Sequence, residues 1–193
     1  MLKKLFPVLA IASLISCCPI VARAQWVVHA LSGTVKSVNP TAGLISLTMA
    51  DGSRAQFKTT EKTDVALDFD DDLRVHATPS SSFRSLGAHV VVYYFGLDND
   101  RTAVSLRDLG PGPFKYATGT VMHYDKHGRV LTIQVAPAKT MTFQVSDKAV
   151  VDTGTGVKEG NKFDPHKGDS LRVTAVTADG ADEAVFIRRR RAG

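Results

Sequence analysis

Cysteine is almost absent from this chain. Its only two are the neighbours Cys17 and Cys18, so the rest of the sequence has no disulfide, no thiol chemistry and no cysteine metal ligands. Tryptophan occurs once, at Trp26, and no apolar run after the first two dozen residues is long enough for a membrane-spanning helix, which needs roughly 20 residues. A large excess of charge is missing as well. The formal charge is +5, but Lys3, Lys4 and Arg23 lie in the leading segment, and residues 25–193 carry 21 basic side chains against 19 acidic ones. Four of the 21 are Arg188, Arg189, Arg190 and Arg191, which leaves 17 against 19 in the rest. Composition therefore gives no basic face of the kind that marks a nucleic-acid binder, and nucleic acid is disfavoured as a partner.

The first residues have the parts of a bacterial secretion signal: Lys3 and Lys4, an apolar run over 5–16, and Ala22-Arg23-Ala24 as a small-x-small cleavage site. Residues 1–24 are read as a signal peptide, with a periplasmic or secreted mature chain. Leu14-Ile15-Ser16-Cys17 resembles a lipobox, and the alternative is an outer-membrane lipoprotein acylated on Cys17. Membrane attachment is expected only in that form.

The remainder is one pattern written twice. Shifting the sequence by 86 places aligns 32–65 with 118–151 without a gap, placing Gly33 on Gly119, Val35 on Val121, Leu47 on Ile133 and Phe57 on Phe143. A shift of 81 then aligns 87–106 with 168–187, placing Val90 on Leu171 and Val104 on Val185. Two units are expected, 26–109 and 115–193, the second ending in a basic tail. The linker is 110–114, beginning Gly110-Pro111-Gly112-Pro113.

Within each unit the apolar period is two, as in strands, and no window has a helical stripe. Asp51-Gly52 between alternating runs reads as a hairpin turn, with 125–128 and Asp179-Gly180 as counterparts. Later strands are expected over 88–95, 102–108, 171–176 and 183–189. The fold class is all-β, as two tandem small antiparallel β-barrels of the oligonucleotide/oligosaccharide-binding (OB) type, because closing a small sheet removes its edges. A β-sandwich is the alternative.

The shared template comprises Gly-Thr-Val at 33–35 and 119–121, a short aliphatic strand, the Phe57 or Phe143 strand, a glycine turn before Val90 or Leu171, and Ala-Val near the end of each unit. It resembles the small exported bacterial β-barrel domains described only as a domain of unknown function, found in tandem behind a signal peptide or lipobox. That resemblance implies a fold and a location outside the cytoplasm. It implies no activity and no site residues.

Few residues suggest chemistry. Asp64, Asp68, Asp70, Asp71 and Asp72 are the densest acidic cluster. Asp68, Asp70 and Asp72 are candidate ligands for a hard cation such as calcium, although the spaced ligands and central glycine of a calcium loop are missing and a solvated loop accounts for them. His123 and His127 have zinc spacing only on a helix, and here they flank a turn. Arg188, Arg189, Arg190 and Arg191 are candidates for contact with a polyanion, the bland alternative being a solubilising tail. Among the aromatics Trp26, Tyr93, Tyr94, Phe95 and Tyr116, strand period divides the run at 93–95 between core and surface. Tyr94 and one neighbour are expected outside, packing between the units.

No Gly-x-Ser-x-Gly elbow, phosphate loop or His-Glu metal motif is present, so no enzyme and no cofactor are expected. The expected function is a non-catalytic binding or assembly module of the bacterial envelope, with a protein or polysaccharide partner. The alternatives are a cation-binding β-domain, and a nucleic-acid or polyanion binder using the OB-like barrel and the arginine run.

Overall fold

The structure, a computed structural model, describes residues 27–61, 73, 76–97, 99–178 and 180–190. Residues 1–26 with both cysteines and Trp26, the aspartates at 64, 68, 70, 71 and 72, and Arg191 lie outside the described residues.

Among the described residues twelve strands form two six-stranded sheets. The first comprises β1 (His29–Asn39), β2 (Leu44–Thr48), β3 (Arg54–Thr59), β4 (Thr78–Pro79), β5 (His89–Phe95) and β6 (Thr102–Asp108). The second comprises β7 (Phe114–Asp125), β8 (Val130–Ala136), β9 (Lys139–Asp152), β10 (Val157–Glu159), β11 (Ser170–Ala178) and β12 (Ala181–Arg189), with a 3-10 turn at Gly160–Lys162. No helix among the described residues is long and apolar enough to cross a membrane.

Each sheet closes on itself. In the first the order β3-β2-β1-β5-β6 is completed by a parallel β3–β6 pairing, and in the second the order β9-β8-β7-β11-β12 is completed by a parallel β9–β12 pairing. This is the strand order of an OB-type barrel, and it replaces the sandwich alternative. β4 and β10 are short additions on β6 and β9.

Two local devices bend the strands into barrels, and both occur at matching places. The first strand of each barrel carries a bulge, between Val35 and Ser37 in β1 and between Val121 and His123 in β7. A bulge increases local twist, so the long strand leaves one neighbour and meets the next: β1 pairs with β5 over 29–34 and with β2 over 34–39. At each bulge the peptide bonds to the glycine turn opposite. The Val35 N–H donates to the Ala88 carbonyl and its own carbonyl accepts from the Gly87 N–H, while the Val121 N–H donates to the Asp169 carbonyl and its own carbonyl accepts from the Gly168 N–H, all at 2.9 Å.

The second device is a glycine where the coiled strand crosses its neighbour. A Cβ on Gly33 would stand 2.9 Å from the Thr48 carbonyl oxygen, and one on Gly119 would stand 2.4 Å from that of Gln134. The Asp51-Gly52 turn forms as the sequence suggests: Gly52 has φ +77°, and Asp51 Oδ1 accepts the Ser53 N–H at 3.0 Å.

Burial explains why some strands read as unbroken apolar runs. Barrel one is filled by side chains including Leu31, Ile45, Leu47, Phe57, Val90, Val92 and Tyr94, and barrel two by Leu131, Ile133, Phe143, Val145, Leu171 and Ile187. A third cluster joins them, with Val28, Ala30, Leu73, Val91 and Tyr93 from one side and Val150, Val157 and Phe186 from the other. β5 is thus apolar on both faces, one facing its own barrel and one covered by the other. This corrects the expected phase of the aromatic run: Tyr94 fills barrel one, edge-on to Phe57 at 5.2 Å, and Tyr93 is the residue that packs between barrels.

The close approaches predict an ordering. Gly119→Ala should destabilise the chain by about 3 kcal/mol and Gly33→Ala by about 1 kcal/mol, since the added methyl meets backbone that is tighter at Gly119. Urea unfolding of the two variants checks this, and equal costs would contradict the packing argument.

Candidate functional site

The surface between the barrels is polar at its edges. Asp152, at the end of β9, is only 1% exposed and is the deepest charged group there. Its oxygens accept the Ala30 N–H at 3.1 Å and the Gly154 N–H at 2.8 Å. His29 Nδ1 and Arg188 Nε each lie 3.5 Å from it. Arg188 also reaches across to the Tyr94 hydroxyl at 3.4 Å. A buried carboxylate needs this many donors, and it draws them from both barrels.

A second polar group centres on His89 of β5, which is 7% exposed. Its Nε2 lies 3.2 Å from the Ser32 hydroxyl and its Nδ1 lies 3.1 Å from that of Thr34, while Phe114 of β7 stacks on the ring at 4.2 Å. The Tyr116 hydroxyl approaches both nitrogens at 3.4–3.5 Å, and Ser32 meets Thr174 of β11 at 3.3 Å. Burial lowers the imidazole pKa below its ordinary value of 6.5, and the negative charge of Asp108 opposes that shift only in part.

Beside Asp152 the junction opens into a cleft of about 360 Å³ with an unusual lining. Five arginines face it: Arg101 from the turn before β6, Arg172 from β11, Arg188 and Arg189 from β12, and Arg190 just beyond. His29, Tyr94 and Leu97 complete most of the wall. Three of the arginines have carboxylate partners. Arg172 pairs with Asp51 at 3.0 Å, Arg188 with Asp152, and Arg189 with Asp169 at 2.8 Å. The Ser53 hydroxyl and backbone, then Arg172, hold the Asp51 carboxyl below the usual range.

Arg101 and Arg190 have no carboxylate partner among the described residues. Arg101 lies over the Tyr94 ring at 5.6 Å, and the adjacent Asp100 is taken by Lys58 at 2.7 Å. Among the described residues the cleft therefore has more positive charge than its surroundings neutralise. No serine, threonine, cysteine or carboxylate side chain among the described residues lines it.

The first residues of the arginine run continue the last strand. Arg188 and Arg189 are the last residues of β12, both about one-third exposed, and they face the cleft with Arg190. The sequence reading missed Arg101, Arg172, His29 and Tyr94 as their neighbours. One signal was there: under the shift of 81, Arg172 stands where the first unit has Val91, a charge in place of an outward apolar residue. His123 on β7 and His127 in the β7–β8 turn are both exposed. Among the described residues no cluster of three histidine, cysteine or acidic side chains is arranged to hold a metal, and the candidate cation ligands Asp68, Asp70 and Asp72 fall outside them.

No protein-family model and no curated protein sequence matches the chain. Among solved structures it is similar to one titled "Crystal structure of Ag(I)CusF", at 18% identity over 40% of this chain and 99% of that one, with a TM-score of 0.32.

Two outcomes follow from the junction. Asp152→Ala leaves the Ala30 and Gly154 donors without their acceptor and should lower unfolding stability by about 2–3 kcal/mol, read by urea denaturation at pH 7.5. For His89 the folded pKa is depressed, so its contribution is fully present above pH 6.5 and is lost as pH falls through the folded value. The melting temperature should therefore drop between pH 7.5 and pH 5, and His89→Gln should flatten that part of the profile. An unchanged slope in the variant would show that another group is responsible.

Proposed function

We propose that this protein is a non-catalytic binding module that holds an oxyanion, such as a phosphate, sulfate or carboxylate group, in the arginine cleft between its two barrels. The observation that carries the reading is the charge surplus of that cleft: five converging guanidinium groups, with Arg101 and Arg190 left without a carboxylate among the described residues. Guanidinium forks match the geometry of oxyanions and are less strongly hydrated than ammonium groups, which suits them to partly enclosed sites. Asp152 and the barrels on either side fix Arg188 before any ligand arrives, which lowers the ordering cost of binding.

The lining favours holding over reacting, because it offers hydrogen-bond donors and positive charge without a hydroxyl nucleophile beyond Tyr94. The leader sequence supports a site of action outside the cytoplasm, where the anionic polymers of the bacterial envelope supply such groups. A long nucleic acid suits the molecule less, since the chain outside the leader and the arginine run is slightly acidic.

Titration calorimetry of the full mature chain with inorganic phosphate, sulfate and a neutral oligosaccharide tests the proposal. Phosphate or sulfate should bind, and the affinity should fall with added salt. The double change Arg101→Ala with Arg190→Ala should weaken binding by about tenfold or more. Binding of the neutral sugar alone, or equal anion binding by the double variant, would remove the cleft from consideration.

A further inference from the structure

A second cavity of about 220 Å³ lies against the arginine cleft, and Arg172 and Arg188 line both. Its walls have a different character. Its surface is mostly carbon, with Met49 and Ala50 from barrel one and Phe186 from barrel two in its lining alongside Ser32, Tyr116, Thr118 and Thr174. Arg172 and Arg188 thus belong both to a cationic chamber and to a largely apolar one.

A bare oxyanion would use only the first chamber. The second is hostile to it, because Asp51 lies on its wall and is already bound to Arg172. An apolar chain, in turn, gains nothing among the arginines. A ligand that satisfies both chambers has an anionic head on the arginines and a short apolar tail pointing past Arg172 and Arg188 towards Phe186.

Resting on the oxyanion reading above, we infer that the ligand is an anionic amphiphile, specifically a phosphate monoester with an alkyl or similarly apolar substituent. The head group is held by Arg101 and Arg190 together with the shared arginines, and the tail takes the place of water between the two barrels. Removal of methylene groups from water strengthens binding by a roughly constant factor for each one buried.

The test is calorimetric titration of the full mature chain with inorganic phosphate and then with methyl, butyl and hexyl phosphate, all as monomers in solution. Affinity should rise along the series by about fourfold for each methylene that enters the second cavity. Ala50→Phe, which adds bulk on the wall of that cavity, should reduce the slope, read relative to that variant's own affinity for inorganic phosphate. A flat series in the unaltered protein, with inorganic phosphate still binding, would overturn the amphiphile inference and leave the oxyanion reading standing. Absence of binding by every member would overturn both.

Discussion

The outer face of β5 has to be covered. Val91 and Tyr93 point away from the barrel that β5 helps to build, and both are fully buried because Val150, Val157 and Phe186 of the other barrel lie over them. Separating the barrels would return this surface to water, at roughly 25 cal/mol for each square ångström of apolar area exposed. The position of every residue in the arginine cleft follows from that contact. Arg101 and Tyr94 come from one barrel and Arg172, Arg188 and Arg190 from the other, so the cleft exists only while the apolar faces are joined.

Apolar contact is poorly directional, and the polar groups around it supply the alignment. Asp152 accepts from backbone on both sides of the junction, and the hydroxyls around His89 connect β1, β5, β7 and β11. A displacement that barely disturbed the aliphatic contacts would strand several buried donors and acceptors, whose loss is costly in a medium of low polarity. The arrangement couples a contact that supplies stability to one that supplies a single orientation.

Much of the fold was legible in the sequence, and the exceptions have a common cause. Period-two alternation places β2, β3 and β8, because one face is buried and the other wet. Asp51-Gly52 and the turn at 125–128 announce themselves by residue type. The phase of Tyr93 and Tyr94 was not legible, because a strand buried on both faces has no alternation from which to set it. The site was hidden for a related reason. Arg188, Arg189, Arg190 and Arg191 stand out as a run, but their relation to Arg101 and Arg172 depends on how two closed barrels meet, and no spacing along the chain encodes that. The hint lay in the mismatch between the units, where Val91 corresponds to Arg172: outward positions that differ between copies are where the copies meet differently or bind.

The two barrels are shut by very different joints. Barrel one is closed by only two residue pairs between β3 and β6, whereas β12 runs alongside β9 at both ends, from Glu183 on Gln144 to Arg188 on Asp152. Parallel joints between strands so far apart in sequence form late, after the loop entropy has been overcome. The strand that closes barrel two thus ends in arginines of the cleft, so parting that joint would dismantle the cleft together with the barrel.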